Sequence, residues 1–313
     1  MNRTLALYLV LLLLLLVAPF MVYPVLVMKI LCFALFACAF NLLLGFTGLL
    51  SFGHAVFLGA GGYIAGYTML RWGLTPELGL LAGIAAAAIL GAVFGLVAIR
   101  RQGIYFAMIT LALAQMVYFF CLQAPFTGGE DGLQGVPRGK LFGLLDLQPA
   151  PGHGEYVIYY VVLVIFLLGF GLIYRTVHSP FGQVLKAIRE NEPRALSLGY
   201  DVDRYKLLAF ILSAALSGLA GATKTLVLGF ATLTDVHWQT SGEVVLMNLV
   251  GGVGTILGPV IGAGVIVALQ NELADKVGPW VTVIMGAIFV VTVLLFRRGI
   301  VGEIAARLKA KIS

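Results

Sequence analysis

Charged residues are scarce in this sequence of 313 residues: lysine, arginine, aspartate and glutamate together make up 11% of it, whereas 61% is hydrophobic and the mean hydropathy is +1.03. This composition excludes an ordinary soluble domain, in which about 25% of the residues are charged. Cysteine is also rare. Cys32, Cys38 and Cys121 lie singly within apolar runs and without metal-ligand spacing, so they are predicted to be packing residues rather than parts of a disulfide framework or a metal site.

The sequence lacks the motif G-x-x-x-x-G-K-[ST], which cradles the phosphates of ATP in many proteins. Gly252-Val-Gly254 has neither the following lysine nor a strand-turn-helix context. There is also no constellation of catalytic residues. The chain is therefore predicted not to be an enzyme, and to bind no ATP, metal or other cofactor by itself.

What the sequence does contain is long apolar runs, of roughly 17 to 25 residues, which suffice to cross a bilayer as helices. The predicted spans are residues 5–28, 30–50, 52–70, 78–99, 103–123, 155–174, 206–229, 236–254, 258–275 and 278–296. The first is too long for a signal peptide and precedes no A-x-A-like cleavage site, so we interpret it as retained. We predict an all-α polytopic membrane protein with about ten transmembrane helices. The eighth and ninth runs, which are short and broken by glycines, either cross the membrane or form a re-entrant pair.

The basic residues predict the orientation of this single transmembrane domain, residues 1–313. With both termini in the cytoplasm, fourteen of the 20 lysines and arginines fall on the cytoplasmic side, in agreement with the positive-inside rule. They are Arg3, Arg100, Arg101, the six basic residues from Arg175 to Lys206, Arg297, Arg298, Arg307, Lys309 and Lys311. This topology predicts a periplasmic loop at residues 124–154 and a polar cytoplasmic loop at residues 175–206.

Glycine is abundant, with 39 residues, and it clusters within apolar runs at residues 45–62 and 251–264. Unwound backbone at membrane depth is tolerated only where protein or water surrounds it, so glycine breaks in both halves of the chain favour a translocation path. The alternative is close helix packing, for which small residues are common. The candidate path residues are Gly48, Ser51, Phe52, Gly53, His54, Gly251, Gly252, Gly254 and Gly258.

The cytoplasmic loop has a helical pattern of its own. Ser179-Pro180 is a typical helix start, and a second short helix is predicted from Pro193 to a C-cap at Gly199. Apolar residues lie on one side of the first helix and charges on the other. A solvated surface would explain the charges, but the compact helix-turn-helix favours a docking site for a soluble partner that supplies energy. The residues predicted to dock or to shape the site are Lys186, Ala187, Ile188, Arg189, Glu190, Asn191, Ala195 and Gly199.

Isolated polar residues in apolar runs are functional candidates by default. A proton relay from His54 to Glu243 would make the protein a secondary transporter, whereas a histidine bonded to backbone would brace the first glycine break. Lys224 lies close enough to the predicted outer surface for its stem to reach it without a role in transport. A channel would require rings of charge or carbonyl filter motifs, neither of which is evident.

Four blocks carry a resemblance to a known family. They are Asn41-Leu-Leu-Leu-Gly-Phe-Thr-Gly-Leu-Leu-Ser-Phe-Gly-His54, Thr127-Gly-Gly-Glu-Asp-Gly132, Ser179-Pro-Phe-Gly182 continuing through Ala187-Ile-Arg-Glu-Asn191 to Leu198-Gly199, and Gly251-Gly-Val-Gly-Thr255 with Gly258-Pro259. In this order they resemble the membrane subunits of bacterial branched-chain amino-acid ABC importers, and in particular the LivM-like half of the permease pair. The closely related urea and amide permeases share much of this pattern.

The resemblance implies a permease in the bacterial inner membrane and a set of partners. These are a homologous LivH-like permease subunit, two cytoplasmic ATPase subunits that bind ATP and magnesium, and a periplasmic amino-acid-binding protein. It also implies that the cytoplasmic loop is the coupling helix. The substrate it implies is a branched-chain amino acid, with urea or another amide as the alternative.

Overall fold

The computed structural model describes residues 3–143, 145–148, 155–295 and 299–303, and nearly all regular structure within them is helical. The α-helices are α1 (Arg3–Met21), α2 (Pro24–Thr47), α3 (Ala55–Arg71), α4 (Pro76–Ala98), α5 (Ile104–Gln123), α6 (Tyr156–His178), α7 (Pro180–Glu190), α8 (Glu192–Ser197), α9 (Val202–Leu228), α10 (Trp238–Gly251), α11 (Gly258–Val277) and α12 (Val281–Leu295). The polytopic helical fold predicted from the apolar runs is thereby supported.

Each predicted span corresponds to one of these helices, and the largest error is at the first boundary. The run 5–28 was predicted to be one span, but α1 ends at Met21 and α2 begins at Pro24. The reason is local: proline fits the first turn of a helix, and the residue before it is driven toward extended backbone. Tyr23, with ψ of 119°, has that conformation.

Five of the described helices are both long and apolar enough to cross a membrane, namely α2, α4, α5, α6 and α9. The α10 helix, with 14 residues, rises only about 21 Å, less than the hydrocarbon thickness of about 30 Å. It packs antiparallel to α11, with its last residues against the first residues of α11. A Cβ on Gly251 would meet Gly258, and a Cβ on Gly262 would meet Met247. The ten crossings remain a prediction.

The core is centred on α9, which packs against α2, α3 and α4. Close approach of α9 to α3 depends on a glycine: a Cβ built on Gly221 would lie 1.8 Å from the carbonyl oxygen of Leu58. A side chain at this position would clash with that oxygen, so only glycine fits. Small residues of this kind let helix backbones touch. These helices therefore form a tightly packed unit.

Part of the predicted periplasmic loop 124–154 forms a short hairpin of β1 (Lys140–Leu141) and β2 (Leu145–Asp146). Residues 144 and 149–154 of this loop lie outside the described residues. Leu133 pairs with Ala231 in an isolated bridge, and the Arg138 Nη2 donates to the carbonyl oxygen of Val227 at 2.7 Å. These contacts tie the loop to the C-terminal end of α9.

Candidate coupling and translocation site

Two short helices, α7 and α8, form the predicted helix-turn-helix of the cytoplasmic loop. The Ser179 hydroxyl caps α7 by accepting from the Gly182 N–H at 3.4 Å. The Asn191 side chain caps α8 by accepting from the Arg194 N–H at 3.1 Å. Capping of this kind satisfies backbone donors that the first turn leaves free. Both predicted helices and the N-cap at Ser179 are confirmed, whereas α8 begins at Glu192 after an N-cap at Asn191 that was not foreseen, and its C-cap is Leu198 rather than Gly199.

The apolar side of α7 is buried, as its periodicity predicted. Ile188 packs with Ala195 and Val202 in a small core separate from the main one. An ion pair joins α8 to α9: the Lys206 Nζ lies 2.6 Å from the Glu192 carboxylate, and the Lys206 side chain is only 2% exposed. Ala195 is thus part of the packing between the two helices and the start of α9.

Arg189 is exposed on α7, and its side chain also reaches the backbone beneath the helix. Its guanidinium donates to the carbonyl oxygen of Gly45, near the end of α2; contact with a soluble partner stays a prediction. Its aliphatic part covers Gly48, where a Cβ would lie 3.2 Å from the Arg189 Cγ. A Cβ on Gly254 would lie 3.0 Å from its Nη1. One side chain of α7 thus contacts both glycine breaks.

Asn41 joins the same two breaks from within α2. Its Oδ1 accepts from the Gly254 N–H at 3.0 Å, and its Nδ2 donates to the carbonyl oxygen of Thr255 at 2.8 Å. Sequence reasoning did not select Asn41 as a site residue. The available signal was an amide inside an otherwise apolar helix, which requires a hydrogen-bonding partner when buried. We call the set Asn41, Gly45, Gly48, Arg189 and Gly254 the glycine junction.

The second glycine break is built around left-handed or unusual backbone. Gly252 and Gly254 have φ of 119° and 78°, a region that favours glycine. The Thr255 hydroxyl accepts from the Gly258 N–H at 3.1 Å and so caps α11. The predicted path residues Gly251, Gly252, Gly254 and Gly258 therefore lie at the end of α10, in the loop after it and at the start of α11, and of these Gly254 contacts Arg189.

The opposite surface of α7 and α8 is exposed. Leu196 and Leu198 are 56% and 68% exposed, which is unusual for large apolar residues on a polar segment. Beside them is a groove of about 520 Å³, lined by His178, Pro180, Gln183, Val184, Ala187 and Tyr200. We call the exposed residues Ala187, Glu190, Asn191, Leu196, Leu198 and Tyr200 the docking face. Gly199 has a φ of 87° and turns the chain between Leu198 and Tyr200 of the docking face. Lys186 turns away from the docking face, and its Nζ lies 5.8 Å from the Phe46 ring centre.

His54 is fully buried at the end of the first glycine break. Its Nε2 lies 2.9 Å from the Ser213 hydroxyl, which donates its own proton to the Ala39 carbonyl oxygen at 2.5 Å. Nε2 must therefore carry the imidazole proton. Within the described residues Nδ1 has no hydrogen-bond partner, and no hydrogen bond leads from His54 toward Glu243. The contacts fit the bracing role better than a proton relay.

The chain matches the family described as "Branched-chain amino acid transport system / permease component" over residues 24–293. It belongs to this family. The high-affinity branched-chain amino acid transport system permease protein LivM of Escherichia coli (strain K12) is 28% identical over 294 residues, which cover 87% of this chain and 68% of the relative. The chain is a LivM-like permease component and a multi-pass membrane protein.

More distant permeases resemble it as well. The probable branched-chain amino acid transport permease protein LivH of Methanocaldococcus jannaschii is 26% identical over 286 residues, covering 85% of this chain and 87% of the relative. The ribose import permease protein RbsC of Bacillus subtilis is 31% identical over 194 residues, covering 59% and 58%. No solved structure matches the chain significantly.

The remaining path candidates of this permease lie in the connection between α2 and α3. Ser51 is fully buried, Phe52 is half-buried, and a Cβ on Gly53 would lie 2.3 Å from the Thr110 carbonyl oxygen in α5. Ser51, Gly53 and His54 are thus packed tightly. Gly48 alone among the first set contacts Arg189, so the structure brings together only part of the predicted path.

A hydroxyl on α10 caps α3 of the permease across the fold: Ser241 Oγ accepts from the Ala55 N–H at 2.9 Å. We expect Ser241→Ala to lower the free energy of unfolding by about 1 kcal/mol, the usual cost of a lost N-cap. Thermal unfolding of the purified protein measures this. Ser217→Ala is the matched control, because the Ser217 hydroxyl bonds only within its own helix. Equal effects of the two changes would contradict the capping role.

Proposed function

We propose that this chain is a membrane-spanning subunit of an ATP-binding-cassette importer that carries branched-chain amino acids into the bacterial cytoplasm. Partner ATPases bind ATP and magnesium and perform the hydrolysis. A LivH-like second permease completes the membrane unit, and a periplasmic binding protein delivers the amino acid. Both termini and the α7–α8 pair lie in the cytoplasm.

The observation that carries this proposal is the two-sided character of the α7–α8 pair. Its outer side is the docking face, with exposed Leu196 and Leu198. Its inner side reaches the backbone of both glycine breaks through Arg189. An exposed apolar patch on a polar segment is typical of a protein-protein contact. The pair is therefore suited to receive a movement from a soluble partner and to pass it to the membrane helices.

The mechanism follows from this arrangement. When the ATPases close, they displace α7 through the docking face. Arg189 then pulls on the Gly45 carbonyl, and Asn41 couples that movement to residues 254 and 255. Glycine-rich backbone absorbs the change in φ and ψ that such a hinge requires. Free N–H and C=O groups at the broken helix ends can bind a zwitterionic solute during passage.

Co-purification tests the proposal. The tagged chain, expressed with its neighbouring genes and reconstituted in nanodiscs, is expected to bring down two ATPases and a second permease. ATP hydrolysis is expected to rise when binding protein loaded with leucine is added. A stable oligomer of this chain alone that moves solute with a proton gradient and without ATP would overturn the importer assignment.

Charge placed on the docking face should weaken binding of the ATPases. We expect Leu196→Glu together with Leu198→Glu to reduce recovery of the ATPases by about tenfold or more, since burying two unpaired carboxylates is costly. The measurement is the ratio of ATPase to permease after size-exclusion chromatography. Leu145→Glu, in β2 at the other end of the molecule, is also exposed by 48% and serves as the control. Normal recovery with the double variant would assign docking to another surface.

A further inference from the structure

The α5 helix is covered by the rest of the chain on one side only. Its buried residues are Phe106, Ala107, Thr110, Ala114 and Cys121. They fall on one narrow face, since residues three, four and seven positions apart lie on the same side of a helix. This face rests on the first glycine break, because a Cβ built on Gly53 would lie 2.3 Å from the Thr110 carbonyl oxygen.

The opposite face of α5 carries large apolar side chains that the described chain leaves uncovered. Met108, Met116 and Phe119 are 60%, 68% and 55% exposed, and Ala112 among them is exposed as well. Residues 108, 112, 115 and 119 follow the alternating spacing of four and three that is typical of helices packed side by side. A small residue in such a row lets a neighbouring backbone approach closely. We call Met108, Ala112, Gln115 and Phe119 the α5 stripe.

Exposed apolar side chains alone do not distinguish a surface that faces lipid from one that faces protein. The α4 helix shows the lipid-facing case, because it is also long and apolar enough to cross a membrane and all of its exposed residues are apolar. They are Leu78, Leu81, Ala85, Ile89, Val93, Leu96 and Val97. Nothing on this face of α4 requires a protein to cover it.

Gln115 distinguishes the α5 stripe from that face. It is the twelfth of the 20 residues of α5, about 17 Å from one end of the helix and about 12 Å from the other. Its stem of two methylene groups is too short to carry the amide to either membrane surface. The residue is half-buried, and within the described part of the chain its side chain forms no hydrogen bond. An amide without a hydrogen-bonding partner is costly in hydrocarbon.

Two other polar side chains in the spans show how such groups are satisfied inside the chain. The Asn41 amide bonds to the backbone of residues 254 and 255, and the Lys224 ammonium pairs with the Asp235 carboxylate. Sequence analysis suggested that Lys224 reaches out to the membrane surface; it is instead held inside by this pair. Gln115, in contrast, has a donor and an acceptor that only a group outside the described chain can satisfy.

We propose that the α5 stripe is the contact surface for the LivH-like second permease, with Gln115 hydrogen-bonded to a polar group on a facing helix. Lipid chains offer neither a donor nor an acceptor, and the ATPases and the binding protein are soluble, so the other membrane subunit is the partner that can reach this depth. Glutamine side chains bond across helices in membranes, and methionine and aromatic residues are enriched in protein interfaces. This inference rests on the proposed function and adds the position of the subunit contact, which lies directly over the first glycine break.

Photo-crosslinking tests the occupant of the α5 stripe in the complete transporter, reconstituted in nanodiscs. The photoreactive amino acid p-benzoylphenylalanine replaces Phe119, and mass spectrometry identifies what is attached to it after illumination. We expect an adduct with the second permease. The same probe in place of Ile89, which is 64% exposed on α4, is the matched control and should attach to lipid only.

Substitutions test the hydrogen bond and the close approach separately. We expect Gln115→Leu to lower recovery of the second permease by about threefold or more, as loss of a hydrogen bond between membrane helices predicts. Ala112→Trp should prevent close approach and lower recovery further, whereas Ala85→Trp on the exposed face of α4 should not. The amount of this chain in the membrane should stay unchanged with Gln115→Leu, because the lost bond lies between subunits and not within the chain.

The outcomes separate this inference from the proposed function. If the probe at position 119 captures only lipid, or two copies of this chain, while the wild-type chain still brings down the second permease and the ATPases, the α5 contact is wrong and the importer assignment stands. Normal recovery of the second permease with Gln115→Leu would overturn the hydrogen bond between the subunits. If the wild-type chain brings down neither a second permease nor an ATPase, the proposed function itself fails.

Discussion

Replacing Arg189 with methionine is expected to lower ATP-driven amino-acid uptake by roughly ten- to hundredfold, as loss of a hydrogen bond to a charged group predicts. The ATPases should still bind, since the docking face is unchanged. Methionine keeps most of the aliphatic contact over Gly48 but cannot donate to the Gly45 carbonyl. Hydrolysis would then continue without movement of the glycine breaks. The measurement is the ratio of leucine transported to ATP hydrolysed in proteoliposomes.

Arg194→Met is the matched control for this prediction. Arg194 is exposed on α8, and within the described part of the chain its side chain forms no hydrogen bond or ion pair, in contrast to that of Arg189. An unchanged transport ratio with Arg189→Met would show that α7 acts on the membrane helices by another route. A loss of bound ATPase with that variant would instead place Arg189 in the docking contact, as its charge pattern first suggested.

The second large effect is expected at Asn41. Asn41→Leu removes two hydrogen bonds at once and leaves the Gly254 N–H and the Thr255 carbonyl without these partners. Unpaired buried groups cost about 1–3 kcal/mol each, so we expect a loss of about 2 kcal/mol or more in stability. Thermal unfolding gives the first value. Proteolysis or hydrogen exchange at residues 252–257 should show that the second glycine break has loosened.

Asn248 offers a close comparison. It too is a buried asparagine in an apolar helix, but its Nδ2 donates only to Val244, one turn back in the same helix. Asn248→Leu should therefore cost much less, because no contact between segments is lost. Equal destabilisation by the two changes would mean that the bridge from Asn41 to residues 254 and 255 adds nothing to stability.

Local features were predictable from the sequence. Ser179 and Pro180 predicted the start of α7, and the spacing of the apolar residues predicted its buried side. The same kind of reasoning failed at Pro24, where a continuous apolar run concealed a break that proline chemistry explains. Hydropathy averages over such a break, whereas backbone sterics act on single residues.

Contacts between distant segments were not predictable. The hydrogen bond from Arg189 spans 144 positions and those from Asn41 span more than 200, so no periodicity or spacing reports them. Both glycine breaks were located from composition, but their meeting at one side chain depends on how the helices pack. The charge pattern of α7 placed Arg189 on the exposed side of the helix, where it lies, but it carries no information on the Gly45 carbonyl that this side chain also reaches.

The contact between Gly221 and Leu58 has a consequence for motion. Because the two backbones are in direct contact, α3 and α9 cannot slide past each other without breaking that contact. We expect them to move as a rigid block. We expect displacement to be concentrated in segments that leave helical geometry, two of which, residues 48–54 and 252–257, contribute to the glycine junction. The transporter would thus work as two stiff parts joined at a pair of adjacent hinges.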